Sequence, residues 1–164
     1  MKAGIIFTLL VGLLLALPMY GESTDQPQNI KKSETDPEID EVYVAHPELP
    51  RITAEELKKL MDEKGEYVLV DSRDSASYNK GHIKGAINIH YDPSGDPMAR
   101  EMTLMALPMD KLIIIYCNCE DDEISANMML ELYDLGYDLN MIKIVSRGIL
   151  RWNELGYPLI ATEK

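Results

Sequence analysis

The sequence predicts an α/β fold in which a parallel sheet carries helices on both faces. Three observations predict it. From Arg51 onward, short apolar runs of strand type alternate with segments of helical spacing, the pattern that builds a parallel sheet between helical layers. The run DKLIIIYC at 110–117 places Ile113, Ile114 and Ile115 in succession, which suits a strand buried on both sides. Polar clusters follow successive runs, at the carboxyl ends where open α/β sheets collect their chemistry.

Before that pattern the chain reads differently. Lys2, the uncharged stretch GIIFTLLVGLLLAL at 4–17, then Pro18 and polar sequence have the pattern of a secretory signal peptide. The stretch is shorter than the roughly 20 residues that span a bilayer as a helix. Extending it to Tyr20 leaves an uncleaved anchor open, and no small-x-small cleavage site precedes Gly21. Residues 1–21 are therefore expected to be a signal peptide or N-terminal anchor. The protein is expected to be exported, periplasmic or extracellular, with membrane contact confined to that segment. Residues 22–50 hold Pro27, Pro37, Pro47 and Pro50, and eight acids against Lys31 and Lys32, the composition of a solvated linker. Its apolar patch VYVAHPEL is a candidate to dock on the neighbouring domain. Residues 51–164 form that one domain. A net charge of −12 argues against nucleic acid or an anionic membrane surface as partner, since both need a basic patch.

Within the domain, TAEELKKLMDEKG (53–65) opens with Thr53 as N-cap and Glu56 as its capping-box partner, and stops at Gly65. YVLVDSR (67–73) is a strand ending in polar residues. SASYNKGH (75–82) is a short helix or turn, and GAINI (85–89) another strand. MAREMTLMALP (98–108) has helical spacing and ends at Pro108, and DKLIIIYC comes next as the strongest strand. EISANMMLELYDLG (123–136) is an amphipathic helix with Ile124, Met128, Leu132 and Leu135 on its apolar face and Gly136 closing it. MIKIVS (141–146) is the last clear strand and ILRWNELG (149–156) the final helix. Three polar clusters thus stand at strand ends: Asp71, Ser72 and Arg73; Cys117 to Glu123; and Ser146, Arg147 and Gly148.

Cys117 and Cys119 are the only cysteines. Outside the cytoplasm cysteines often pair, but these two cannot staple distant parts of the chain. A bond between them would close a very small ring with strained geometry, so they are expected not to form a disulfide framework. A zinc-type site would need a second ligand pair elsewhere, and the sequence has none. No metal and no cofactor are expected.

At these residues the chain resembles the rhodanese-like domains. VDSR followed by YNKGHIKGAINI is similar to the family's paired motifs, and IIIYC to the strand that delivers its active-site cysteine. ISANMMLELYDLGY resembles the helix behind the active-site loop, and GILRWNELGYPL the closing segment. The resemblance covers residues 51–160 or so and implies a three-layer sandwich with a parallel sheet of about five strands. It implies that Cys117 is the nucleophile, taking a sulfane sulfur as a persulfide and passing it to a thiol acceptor, either partner being a small molecule or a protein. The active-site loop would comprise Asn118, Glu120, Asp121, Asp122, Glu123, Ile124 and Ser125. Its backbone N–H groups, at the start of the next helix, would favour a thiolate. Asp71, Arg73 and His82 take structural positions, and Arg147 is a candidate contact for an anion or substrate.

Departures from the family pattern shape the expected substrate. The loop is longer than usual and holds no arginine or lysine; Ile124 stands just before Ser125, where relatives carry arginine. Arg147 and Gly148 replace paired glycines. Thiosulfate is a dianion, and at an effective dielectric near 20 one carboxylate at about 4 Å opposes an anion by roughly 4 kcal/mol. Protein persulfides or low-molecular-weight thiols therefore fit better. The acids also suit a helix start, worth roughly 0.3–1 kcal/mol each, with Asp121 or Asp122 as N-cap. Cys119 is an auxiliary thiol that can attack a persulfide or sulfenate on Cys117. The leading expectation is an exported sulfurtransferase or persulfide carrier. The alternatives are a non-catalytic binding module of the same fold and a thiol–disulfide redox protein using Cys117 and Cys119.

Overall fold

The computed structural model describes residues 43–162; the expected signal peptide or anchor, and most of the expected linker, lie outside them. Five strands form one sheet: β1 Arg51–Ile52, β2 Val68–Asp71, β3 Ile87–Asn88, β4 Ile113–Tyr116 and β5 Ile142–Val145. Five helices alternate with them: α1 Ala54–Asp62, α2 Ser75–Lys80, α3 Pro97–Leu104, α4 Glu123–Asp134 and α5 Gly148–Glu154. The order across the sheet is β1-β5-β4-β2-β3, and every pairing is parallel. The four strands read from the apolar runs are all present. The fifth, β1, is two residues long, too short to show a period in sequence.

Alternation along the strands builds two cores. Ile113 and Ile115 of β4 face one side with Val70, Ile142 and Ile144, and there they meet Leu104 of α3 and Ala126, Met128, Met129 and Leu132 of α4. Ile114 and Tyr116 face the other side with Leu69 and Val145, against Leu57 of α1 and Ile149 and Trp152 of α5. Each such side chain, fully buried, contributes about 1.5–3 kcal/mol. Both layers are needed, because β4 is buried at all four positions.

Helix ends differ from expectation in instructive ways. The Thr53–Glu56 capping box forms as read, but α1 ends at Asp62 and the left-handed residue is Lys64, at φ 56°, not Gly65. Helix α3 ends at Leu104, before Pro108. There the Tyr137 hydroxyl bonds to the carbonyl oxygens of Leu104 (3.0 Å) and Leu107 (2.7 Å), which satisfies carbonyls that a continuing helix would otherwise use.

Packing begins ahead of the expected boundary at 51. Ala45 and Leu49 are buried in the α3–α4 core, so part of the expected linker packs on the domain, while Tyr43 stays exposed. The Ala45 N–H donates to the Asp121 carbonyl at 2.8 Å, and the Arg51 guanidinium donates to the carbonyls of Ala45, His46 and Leu49. The stretch reads as linker by composition because only two apolar side chains, one backbone bond and a single arginine fasten it. Among the described residues, no helix is long and apolar enough to cross a membrane.

Candidate active site

Strand β4 lies between β5 and β2 in the middle of the sheet and delivers Cys117 from its carboxyl end. Cys117 is 1% exposed. Neighbouring turns hold the strand end from both sides. The Ser72 backbone N–H and hydroxyl both donate to the Tyr116 carbonyl, at 3.0 and 2.9 Å. The Ile149 N–H donates to the Cys117 carbonyl at 2.9 Å. Gly148, at φ 44°, packs so closely that a Cβ there would overlap the Cys117 carbonyl oxygen.

The two cysteines are joined to each other, with Cα atoms 5.7 Å apart, inside the usual range for a disulfide. This corrects the expectation that they stay unpaired. That expectation took the ring to be closed within extended or tightly looped chain. Instead the strand ends at Tyr116 and the backbone bends at Asn118, which turns both sulfurs to the same side. The Cys119 backbone N–H also points at Cys117 Sγ, at 3.4 Å. Asn118 is exposed and Cys119 half-buried, so the pair is open to solvent on the Cys119 side.

The four acids do not act alike. Glu120 and Glu123 are exposed and Asp121 is half-buried. Asp121 accepts the Glu123 N–H at 3.2 Å, so its side chain does the capping at the start of α4. Asp122 occupies the N-cap position in left-handed backbone (φ 62°, ψ 14°) without a side-chain cap bond. It is 1% exposed, and its carboxylate lies 3.5 Å from Arg51 Nε. Burial pushes its pKa up to about 6, although Arg51 and the Arg147 backbone pull it down. Asp122 Oδ1 and, one turn on, Ser125 Oγ are buried without a hydrogen-bond partner. Ile124 is half-buried against the α3–α4 core and offers the loop no charge.

The residues expected to be structural form one network on the β2 side. Arg73 donates to both Asp71 oxygens, at 2.9 and 2.6 Å, and to the Gly81 carbonyl. The Tyr116 hydroxyl donates to Asp71 at 2.7 Å and accepts the Ile83 N–H at 3.1 Å; burial, then Asp71, pushes its pKa up. His82 stacks on Tyr78 with ring centroids 3.7 Å apart and bridges by its backbone to Ile160. Arg147, the candidate anion contact, instead pairs with Glu154 through two bonds of 2.8 and 2.6 Å. Among the described residues, no three His, Cys, Asp or Glu side chains come together in a way that would hold a metal ion.

Two contributors escaped the sequence reading. Arg51 marked the expected domain edge and Tyr116 the end of an apolar strand, and neither carried a local signal of its role. Gly148 already stood in the strand-end cluster with Ser146 and Arg147.

A Rhodanese-like domain model matches residues 53–155. Among curated proteins, the chain is 31% identical over 101 residues to the tRNA uridine(34) hydroxylase of Bdellovibrio bacteriovorus, covering 59% of this chain and 26% of that protein. It is 32% identical over 97 residues to the HTH-type transcriptional regulator Rv0324 of Mycobacterium tuberculosis, covering 59% and 39%. The chain thus spans well under half the length of either relative. Among solved structures, a rhodanese-related protein from Thermoplasma volcanium aligns with a TM-score of 0.56 and 26% identity, covering 69% of this chain and 99% of that one.

Proposed function

The chain belongs to the rhodanese-like domain family, and we propose that it is an exported sulfurtransferase or persulfide carrier in which Cys117 accepts the sulfur. The reading rests on Cys117's place: at the end of the central strand, with the Cys119 N–H directed at its sulfur and a twelve-residue helix starting six residues later. Amide hydrogens and a helix start favour a thiolate over a thiol. Export is supported by the uncharged apolar run at 4–17 behind Lys2.

The chemistry then runs in two steps. The Cys117 thiolate attacks the outer sulfur of a donor persulfide, R–S–SH; the S–S bond breaks, R–SH leaves, and Cys117 carries the sulfur as a persulfide. An acceptor thiol takes that sulfur, or Cys119 attacks Cys117 Sγ, forms the Cys117–Cys119 bond and expels hydrosulfide. The second route leaves the protein with its two cysteines paired. Donors without negative charge suit the loop, since Glu120 and Glu123 remain at its surface and Arg147 is committed to Glu154. The test is to reduce the protein, incubate it with a protein persulfide, an alkyl persulfide or thiosulfate, and weigh it intact. One added sulfur from a persulfide donor is expected, with far less from thiosulfate. No adduct from any donor would remove the reading.

The bonded pair favours a second reading, a thiol–disulfide couple that moves electrons and no sulfur. It predicts a reversible two-electron couple between Cys117 and Cys119 with no added sulfur at any stage.

A further inference from the structure

We infer that thiols reduce the Cys117–Cys119 bond by entering at Cys119, and that the acidic loop makes cationic and neutral thiols the preferred reductants over anionic ones. The inference rests on the proposed carrier cycle for its place in turnover, because it supplies the step that returns Cys117 to a thiolate.

A thiolate attacks a disulfide along the S–S axis, from behind the sulfur it will bond. Cys117 is 1% exposed. Its backbone is closed off by Gly148 and Ile149 on one side, and the strand it leaves is flanked by β2 and β5. Cys119 is half-buried, between the exposed Asn118 and Glu120. The incoming thiolate therefore bonds Cys119 Sγ, the Cys117–Cys119 bond breaks, and its electron pair leaves on Cys117. That leaving group is the stabilised one, because the Cys119 N–H faces its sulfur at 3.4 Å. A better-stabilised leaving thiolate departs faster. A second thiolate then attacks the outer sulfur of the mixed disulfide, R–S–S–Cys119. It forms R–S–S–R and frees the Cys119 thiolate, so two thiols are oxidised and one disulfide reduced.

The loop that carries Cys119 holds exposed acids and no cation. Glu120 is the immediate neighbour of Cys119 and exposed, Asp121 comes next, and Glu123 is exposed at the start of α4. Arg147, on the adjacent turn, has its guanidinium held by Glu154. A field of one sign at the mouth of a site changes encounter rates by charge and is screened by salt.

The test takes the full chain with its cysteines paired and three small thiols of similar size: cysteamine, 2-mercaptoethanol and 2-mercaptoethanesulfonate. Reaction at low ionic strength is stopped with acid, free thiols are alkylated, and tandem mass spectrometry locates each group. Rates are taken per thiolate and divided by those with a neutral model disulfide. The expected result is the probe on Cys119 and the alkyl group on Cys117. Cysteamine should exceed the sulfonate about tenfold or more, a gap that shrinks at about 1 M salt and narrows in a Glu120→Gln, Asp121→Asn double variant. Probe on Cys117, equal rates at low salt, or two free thiols after mild oxidation would each overturn the inference. If these results hold while reduced protein accepts sulfur from no donor, the sulfur-carrier reading fails and the exchange chemistry stands. If sulfur is accepted and the probe sits on Cys117, the inference fails alone.

Discussion

Gly148 lies against Cys117 so closely that a Cβ at position 148 would overlap the Cys117 carbonyl oxygen and sit 3.0 Å from its amide nitrogen. The β5–α5 turn thus sets the height of the cysteine. Both Arg147 and Gly148 hold positive φ, at 56° and 44°, so the chain doubles back there and brings the Ile149 N–H onto the Cys117 carbonyl. Arg147 adopts a conformation that costs a side-chain-bearing residue roughly 1–2 kcal/mol, and Gly148 is what makes the approach possible.

Gly148→Ala is expected to destabilise the domain by at least about 3 kcal/mol, through overlap with backbone that cannot move aside and through its positive φ. Urea unfolding of reduced protein measures it. A loss below about 1 kcal/mol would show that the turn is not packed as described.

Asp122 should give stability a distinctive pH dependence. Its folded pKa of about 6 stands above the ordinary value of 3.8, with burial as the main cause. Between those values the folded state keeps a proton that the unfolded state has released, so stability falls as pH rises from about 4 to about 6 and levels off above. The shift corresponds to something on the order of 2–3 kcal/mol. Asp122→Asn, compared with the parent by denaturant unfolding across that range, should lack this fall. Parallel profiles would contradict the assignment.

Tyr116→Phe removes a buried donor to Asp71 and the acceptor of the Ile83 N–H. Leaving those groups unpaired should cost about 2–3 kcal/mol, without adding or removing a thiol. A cost near zero would mean that Arg73 alone satisfies Asp71.

Arg147 and Glu154 form a half-exposed pair, of a kind that adds little to stability. Glu154→Gln should therefore barely change stability, yet it frees a guanidinium beside an acidic loop. Sulfur uptake from thiosulfate by reduced protein should rise about threefold or more. No rise would place the freed arginine out of the donor's reach.

Much of the fold was legible in the sequence because it rests on local rules: the Thr53–Glu56 cap, the isoleucine run of β4, the apolar face of α4. What was not legible depends on contacts far apart in sequence or on very short elements. Strand β1 has two residues and no period. Arg51 reaches Asp122 across the domain, and no local pattern announces it. The Cys117–Cys119 bond was misjudged because ring closure depends on where the strand ends and the backbone bends, not on spacing alone. The acids after the cysteines looked like one feature; folding divides them into a buried partner for Arg51, a capping side chain and two surface charges.

The most direct test of Cys117 as the sulfur acceptor locates the sulfur. Reduced parent protein, Cys117→Ser and Cys119→Ser are each given an alkyl persulfide, alkylated, and mapped by tandem mass spectrometry. The proposed cycle predicts a persulfide on Cys117 that accumulates in Cys119→Ser, is short-lived in the parent as hydrosulfide appears and the two cysteines pair, and is absent from Cys117→Ser. Sulfur retained by Cys117→Ser, or no persulfide on Cys117 in Cys119→Ser, would contradict it.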